Sequence, residues 1–234
     1  MTKVALITGG TSGIGLAIAH ELLINGYKVA ITTRNDGERQ ARKLSEATNG
    51  ECRSYTADVG KFDLMQLIIA QIEKDLGVIS VVIANAGLGH FATVDNLSVE
   101  QWDEVISTNL NGAFYTLKAT LGHLKKTKGY YISISSLAGT NFFKQGAAYN
   151  ASKFGVTGFT QAAMLDLREH DIKCTTIMPG SVRTDFNGND PSEGDQGWKI
   201  QPEDIAEMVT YLLNVPARTL PSKIEVRPSK TATM

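Results

Sequence analysis

The residues with the clearest chemical potential lie between Ser136 and Lys153. Tyr149 and Lys153 stand four residues apart in Tyr149-Asn150-Ala151-Ser152-Lys153. On a helix that is about one turn, so the two side chains share a face. A free phenol titrates near about 10 and is a poor acid at neutral pH. A neighbouring ammonium favours the phenolate and moves the phenol toward neutrality. Upstream, in Ile134-Ser135-Ser136-Leu137-Ala138-Gly139, a hydroxyl could hold a substrate oxygen where that proton can reach it. Together these groups could transfer a proton to or from an oxygen. Tyr-x-x-x-Lys is also the spacing of an ordinary amphipathic turn, and the pair alone does not separate the two readings.

Such a site needs elements to hold it. Residues 3–8 form a short apolar run that breaks at Gly9-Gly10, the pattern of a strand buried on both faces. Further strands are expected over 27–33, 52–57, 79–84, 130–135, 172–178 and 223–226. Between them lie helical patterns: Leu16 to Leu23 closed by Gly26, then about 36–48, 61–76, 98–125, 148–170 and 202–213. Ser98 with Gln101 has the form of a capping box, and Pro202 sits near a helix start. Strands and helices alternate throughout, with no composition shift or internal repeat. The expectation is α/β: a single doubly wound Rossmann domain over 1–234, with a seven-stranded parallel sheet and helices on both faces.

The turn after the first strand is rich in glycine: Gly9, Thr11, Ser12, Gly13, Ile14 and Gly15. A doubly wound sheet binds a dinucleotide there, with the pyrophosphate on the next helix's N-terminus. The spacing is Gly9-x-x-x-Gly13-x-Gly15, not the usual Gly-x-Gly-x-x-Gly. An acidic residue ending the second strand would bind a ribose 2′-hydroxyl, but this chain has Thr33-Arg34. A guanidinium suits a 2′-phosphate, so NADP(H) is preferred and NAD(H) is possible. Arg34 could equally be a solvated surface charge, Ser12 stands where a basic residue would have helped, and Asp36 reads as a helix cap. Asp58 and Val59 end the third strand, near the expected adenine position. Asn85-Ala86-Gly87 ends the fourth.

Taken in this order, the features resemble the short-chain dehydrogenase/reductases along nearly the whole chain. They are Thr8 to Gly15, Asp58, Asn85-Ala86-Gly87, Asn109, Ser136, Tyr149 with Lys153, and Pro179-Gly180-Ser181-Val182-Arg183-Thr184. Ala84 departs from the family, which often has a second Asn there. The resemblance implies a catalytic group of Asn109, Ser136, Tyr149 and Lys153. Ser136 is preferred to Ser135 because the family's Ser commonly stands thirteen residues before the Tyr. Tyr149 would be general acid in reduction and general base in oxidation. Lys153 would lower its pKa and hydrogen-bond the nicotinamide ribose, and Ser136 would hold the substrate oxygen. Asn109 would sit in a local break of its helix and hold a water in a relay with Lys153. Val182 and Thr184 would hold the carboxamide above a Pro179-Gly180 turn.

The substrate wall is expected from 88–93, 137–147 and the stretch after Thr184, with Ser136, Tyr149, His90, Phe91, Phe142 and Phe186 facing the substrate. Those aromatics could also fill core or a subunit contact. Residues 185–201, rich in Gly, Asn and Asp, have the length of a lid that Phe186 and Trp198 could close. Asp185, Asp190, Glu193 and Asp195 against Lys199 disfavour a strongly anionic substrate. With 42% apolar and 20% charged residues and a net charge of −1, neither disorder nor a nucleic-acid partner is indicated. Cys52 and Cys174 read as buried free thiols, and no metal set is expected. No apolar run approaches the roughly 20 residues of a membrane span, no signal-peptide pattern opens the chain, and a cytoplasmic protein is expected. The resemblance implies a homodimer or homotetramer acting on a small carbonyl or alcohol. The competing readings are an NAD-dependent alcohol or hydroxy-acid dehydrogenase and a non-catalytic dinucleotide sensor.

Overall fold

The structure is a computed structural model and describes residues 3–188, 190, 192 and 196–230. Seven strands form one sheet: β1 (Val4–Thr8), β2 (Lys28–Thr33), β3 (Cys52–Thr56), β4 (Ile79–Ala84), β5 (Tyr130–Ile134), β6 (Lys173–Pro179) and β7 (Lys223–Val226). Their order is β3-β2-β1-β4-β5-β6-β7, and every neighbouring pair is parallel. All five residues of β1 are buried, as its unbroken apolar run requires.

Alternation along the strands divides the core into two layers. Ala5, Ile7, Val29, Ile31 and Ile83 face one side. They pack on α1 (Gly13–Ile24), α2 (Glu38–Thr48) and α7 (Pro202–Asn214) through Ile18, Leu22, Leu44, Ile205 and Val209. Val4, Leu6, Val82 and Tyr131 face the other side. They meet α3 (Phe62–Leu76), α5 (Gly112–Thr127) and α6 (Ala147–Leu167) through Ile69, Ile72, Leu117, Leu124 and Val156. The doubly wound arrangement follows, because the central strands, such as β1, β4 and β5, have two apolar faces to cover.

The expected helix over 98–125 is three pieces. α4 (Val99–Val105) opens with the anticipated capping box: Gln101 N donates to Ser98 Oγ at 3.2 Å and Ser98 N to Gln101 Oε1 at 3.1 Å. A π-helical turn, Ile106–Asn111, then leads into α5. Its wider winding buries Thr108 and Asn109. Gly112 follows, where a Cβ would lie 2.7 Å from Val59 Cγ2, so only glycine lets the helix come this close to the loop after β3.

Cys52 and Cys174 are free and buried, and burial pushes both thiols up to about 12. Among the described residues no helix is long and apolar enough to cross a membrane, and no three His, Cys, Asp or Glu side chains gather as a metal site.

Candidate active site

β1 pairs with β2 on one side and β4 on the other, so the connections leaving β1 and β4 diverge above the sheet's C-terminal edge. A cleft of 630 Å³ opens there, lined by Gly9, Thr11, Ser12, Gly13 and Ile14 at one wall. Gly9 and Gly13 adopt φ of +65° and +50°, which the tight turn requires. Gly15 does not line the cleft. A Cβ on it would lie 2.3 Å from the Gly9 carbonyl oxygen and 2.5 Å from Asn85 Nδ2, so its role is close packing of α1 beneath the loop. Asn85 fastens the loop: Nδ2 donates to the carbonyl oxygens of Thr8 and Gly9, both at 3.0 Å. Thr8 Oγ1 in turn accepts from the backbone N–H groups of Asn85 and Ala86 at 3.0 and 3.1 Å. The α1 N-cap, Ser12, makes no side-chain capping bond, which leaves first-turn N–H groups for a ligand. A concave backbone wall closed to Cβ atoms, at a helix N-terminus, fits a dinucleotide pyrophosphate.

Arg34, Asn35, Ala57 and Val59 line the far end of the cleft. Asp58 does not. Its Oδ1 accepts from Gly60 N at 2.9 Å and tightens the turn after β3, and the N-cap of α3 is Lys61. Asp36 Oδ1 accepts from Glu38 N at 2.9 Å, at the start of α2. Arg34 is an exposed residue but not a free one: its Nη1 lies 3.0 Å from Glu104 Oε1. Glu104 Oε2 is 2.8 Å from His90 Nε2.

Ser136, Tyr149 and Lys153 converge at the other end, beside Ala86, Gly87 and Leu88. Lys153 Nζ lies 5.6 Å from the Tyr149 ring centroid and donates to the Ile134 carbonyl oxygen at 3.0 Å. Ser136 Oγ accepts from Ala138 N at 3.1 Å. Ser135 Oγ instead turns under α6, donating to the Lys153 carbonyl oxygen at 3.1 Å and bonding Thr157 Oγ1 at 2.9 Å. Burial holds the Tyr149 phenol above its ordinary value, with the Ser136 hydroxyl pulling the other way. Burial also pushes the Lys153 ammonium down to about 8. The expected lowering of Tyr149 by Lys153 is therefore absent in the protein alone. Both groups sit in one desolvated recess, and burial sets the direction of each shift.

Asn109 is buried, and both hydrogens of its amide are engaged. Oδ1 accepts from Leu88 N and Nδ2 donates to the Leu88 carbonyl oxygen, both at 2.9 Å. Nδ2 also donates to Ser152 Oγ at 3.0 Å, and Ser152 Oγ donates to the Tyr149 carbonyl oxygen at 2.8 Å. The π-helical turn is thus tied to Tyr149 through Ser152. Asn150, likewise buried, donates to the carbonyl oxygens of Ala138 and Asn141 at 2.7 and 2.8 Å, fixing the loop before α6. Sequence reasoning assigned Ser152, Asn150 and Glu104 no part. The first two stand inside the Tyr149–Lys153 motif, which was the available signal. Nothing local marked Glu104.

Pro179, Gly180, Val182 and Thr184 line the cleft between its two ends. Of the expected substrate aromatics, Phe91 and Phe186 line it, with ring centroids 5.6 and 5.8 Å from Tyr149. Phe143, which is outside the lining, packs 5.8 Å from Phe91. His90 and Phe142 do not line it. His90 turns to Glu104, and Phe142 is 85% exposed. Within 185–201, Lys199 lines the cleft and Trp198 does not. Glu193 and Asp195 lie outside the described residues.

A family model described as short chain dehydrogenase matches residues 3–194. An uncharacterized oxidoreductase of Staphylococcus saprophyticus is 31% identical over 233 residues, covering 97% of each chain. One from Staphylococcus aureus is 32% identical over 228 residues, again covering 97% of each. Among solved structures, an alcohol dehydrogenase of the archaeon Thermococcus sibiricus, complexed with 5-hydroxy-NADP, superposes with a TM-score of 0.93 at 30% identity over 100% of both chains. A metagenomic short-chain oxidoreductase in complex with NADP gives 0.84 at 32% identity, covering 97% of this chain and 98% of that one. With the glycine loop, Tyr149 and Lys153 in one cleft of this fold, the chain belongs to the short-chain dehydrogenase/reductase family of oxidoreductases.

Proposed function

We propose that the protein is an NADP(H)-dependent carbonyl reductase or alcohol dehydrogenase with Tyr149 as its proton donor. The observation that carries this is one continuous cleft with Arg34 at one end and Ser136, Tyr149 and Lys153 at the other, 115 residues apart in sequence between Arg34 and Tyr149. The glycine loop and the α1 N-terminus would hold the pyrophosphate, Arg34 the 2′-phosphate, and Val182 and Thr184 the carboxamide. The two NADP-bound structural relatives support the choice of cofactor. When bound, the nicotinamide would supply or accept the hydride.

The chain's own groups do the rest. Ser136 holds the substrate oxygen and stabilises charge developing on it. In reduction the Tyr149 hydroxyl gives its proton to that oxygen, and in oxidation the phenolate takes it back. A phenol held above its ordinary value is protonated at pH 7, the form that reduction needs. Lys153 places a buried charge beside the ring and would hold the cofactor ribose. Asn109 spends its side chain on Leu88 and Ser152, so that side chain positions the floor of the site. Phe91 and Phe186 favour an apolar carbonyl compound of moderate size. Exposed Phe114 on α5, and Phe154 and Leu165 on α6, support association of copies through the two long helices.

Tyr149→Phe tests the mechanism. Turnover over a panel of ketones and aldehydes should fall at least about 10³-fold while the NADPH dissociation constant stays within about twofold. Wild-type rates in that variant would remove the proposed acid. A second reading, NAD as the cofactor, is favoured by the carboxylate that already holds Arg34. Paired titration with NADPH and NADH separates the two.

A further inference from the structure

The Arg34–Glu104–His90 chain joins three segments that sequence places far apart: the end of β2, the C-terminal part of α4 and the loop after β4. Glu104 uses one oxygen for each partner, Oε1 for Arg34 at 3.0 Å and Oε2 for His90 at 2.8 Å. Both contacts hold its carboxyl below the usual range, His90 first and Arg34 second. Glu104 is therefore an anion fixed from two sides, at the guanidinium that lines the far end of the cleft. Asp36 is the acidic residue nearer in sequence to Arg34, and it is bonded to Glu38 N.

We propose that Glu104 is a specificity-determining residue that sets how strongly the protein prefers a 2′-phosphorylated cofactor. This rests on the NADP reading above. Glu104 engages Nη1, so a phosphate either shares the guanidinium with that carboxylate, through the other N–H donors, or displaces it. The pair is exposed, with 56% and 43% of the two side chains accessible, so it is weak enough for a phosphate to displace. After displacement the carboxylate stays close, held by His90 at its second oxygen. A carboxylate within a Debye length of a phosphate dianion repels it. NADH carries an uncharged 2′-hydroxyl at that position and meets neither cost. Glu104 thus trims the preference for NADPH that Arg34 creates.

The test is a cycle of dissociation constants for NADPH and NADH, measured by isothermal titration on wild type, Glu104→Gln, Arg34→Ala and the double variant. Glu104→Gln should tighten NADPH by roughly three- to tenfold and shift NADH by less than about twofold. The NADPH gain should shrink at high salt and vanish in the Arg34→Ala background. Glu100→Gln removes a charge from the same helix and should change neither cofactor. Weaker NADPH binding in Glu104→Gln would overturn the proposal, since Glu104 would then be aiming Arg34 at the phosphate. Equal shifts for both cofactors, or a gain that persists without Arg34, would overturn it too. If Arg34→Ala alone leaves the NADPH-to-NADH ratio unchanged, the failure lies in the phosphate role of Arg34, and the proposal falls with it.

Discussion

In the proposed mechanism Lys153 is the residue at which function and stability conflict, and Lys153→Met exposes the conflict. The side chain is 5% exposed, and burial pushes its ammonium from 10.5 down to about 8. At about 1.4 kcal/mol per pH unit, holding that charge inside the fold costs about 3 kcal/mol at pH 7. Methionine has similar length and no charge. It forfeits the hydrogen bond to the Ile134 carbonyl oxygen, worth about 1 kcal/mol. The variant should therefore be about 2 kcal/mol more stable than wild type at pH 7, while turnover falls at least about 10²-fold. The pH dependence adds a second signature. The unfolded chain keeps this proton up to 10.5 and the folded chain releases it near 8, so between those values the unfolded state carries more protons. Wild-type stability should rise across that window relative to the variant, and the gap should close by its upper end. Urea unfolding followed by circular dichroism, at matched concentration and without cofactor, reads both effects. Buried tyrosines and cysteines titrate in both proteins and cancel in the difference. A variant less stable than wild type at pH 7, or two parallel pH curves, would refute the reasoning.

Two further outcomes follow from the packing of the site. Ser136→Ala should lower turnover by about 10²-fold with little change in stability, whereas Ser135→Ala should cost about 1 kcal/mol of stability and keep turnover within about threefold. Steady-state kinetics with thermal unfolding separates the two serines, since only Ser135 is bonded beneath α6. Gly15→Ala sets a Cβ 2.3 Å from a backbone carbonyl oxygen that Asn85 also holds. It should destabilise the fold by about 1–3 kcal/mol and weaken NADPH at least tenfold, read by thermal unfolding and titration; unchanged values in both would show that the loop has room to spare.

The alternation of two-faced apolar strands with helical stripes determined the sheet, its parallel sense and most element bounds from the sequence alone. Such patterns are local, and burial on both faces leaves a strand little choice of architecture. The order of glycine loop, Asn85, Ser136, Tyr149 and Lys153 likewise pointed to residues that line one cleft. What needed the tertiary structure was everything that depends on where distant segments meet. Asn109 works through Leu88 and Ser152, contacts 21 and 43 residues away along the chain. His90 turns from the substrate wall to Glu104, and Arg34 is held from 70 residues away. The environment of Tyr149 and Lys153 needed the fold for the same reason: spacing on a helix reveals a neighbouring charge, but only the folded chain reveals how much water both have lost.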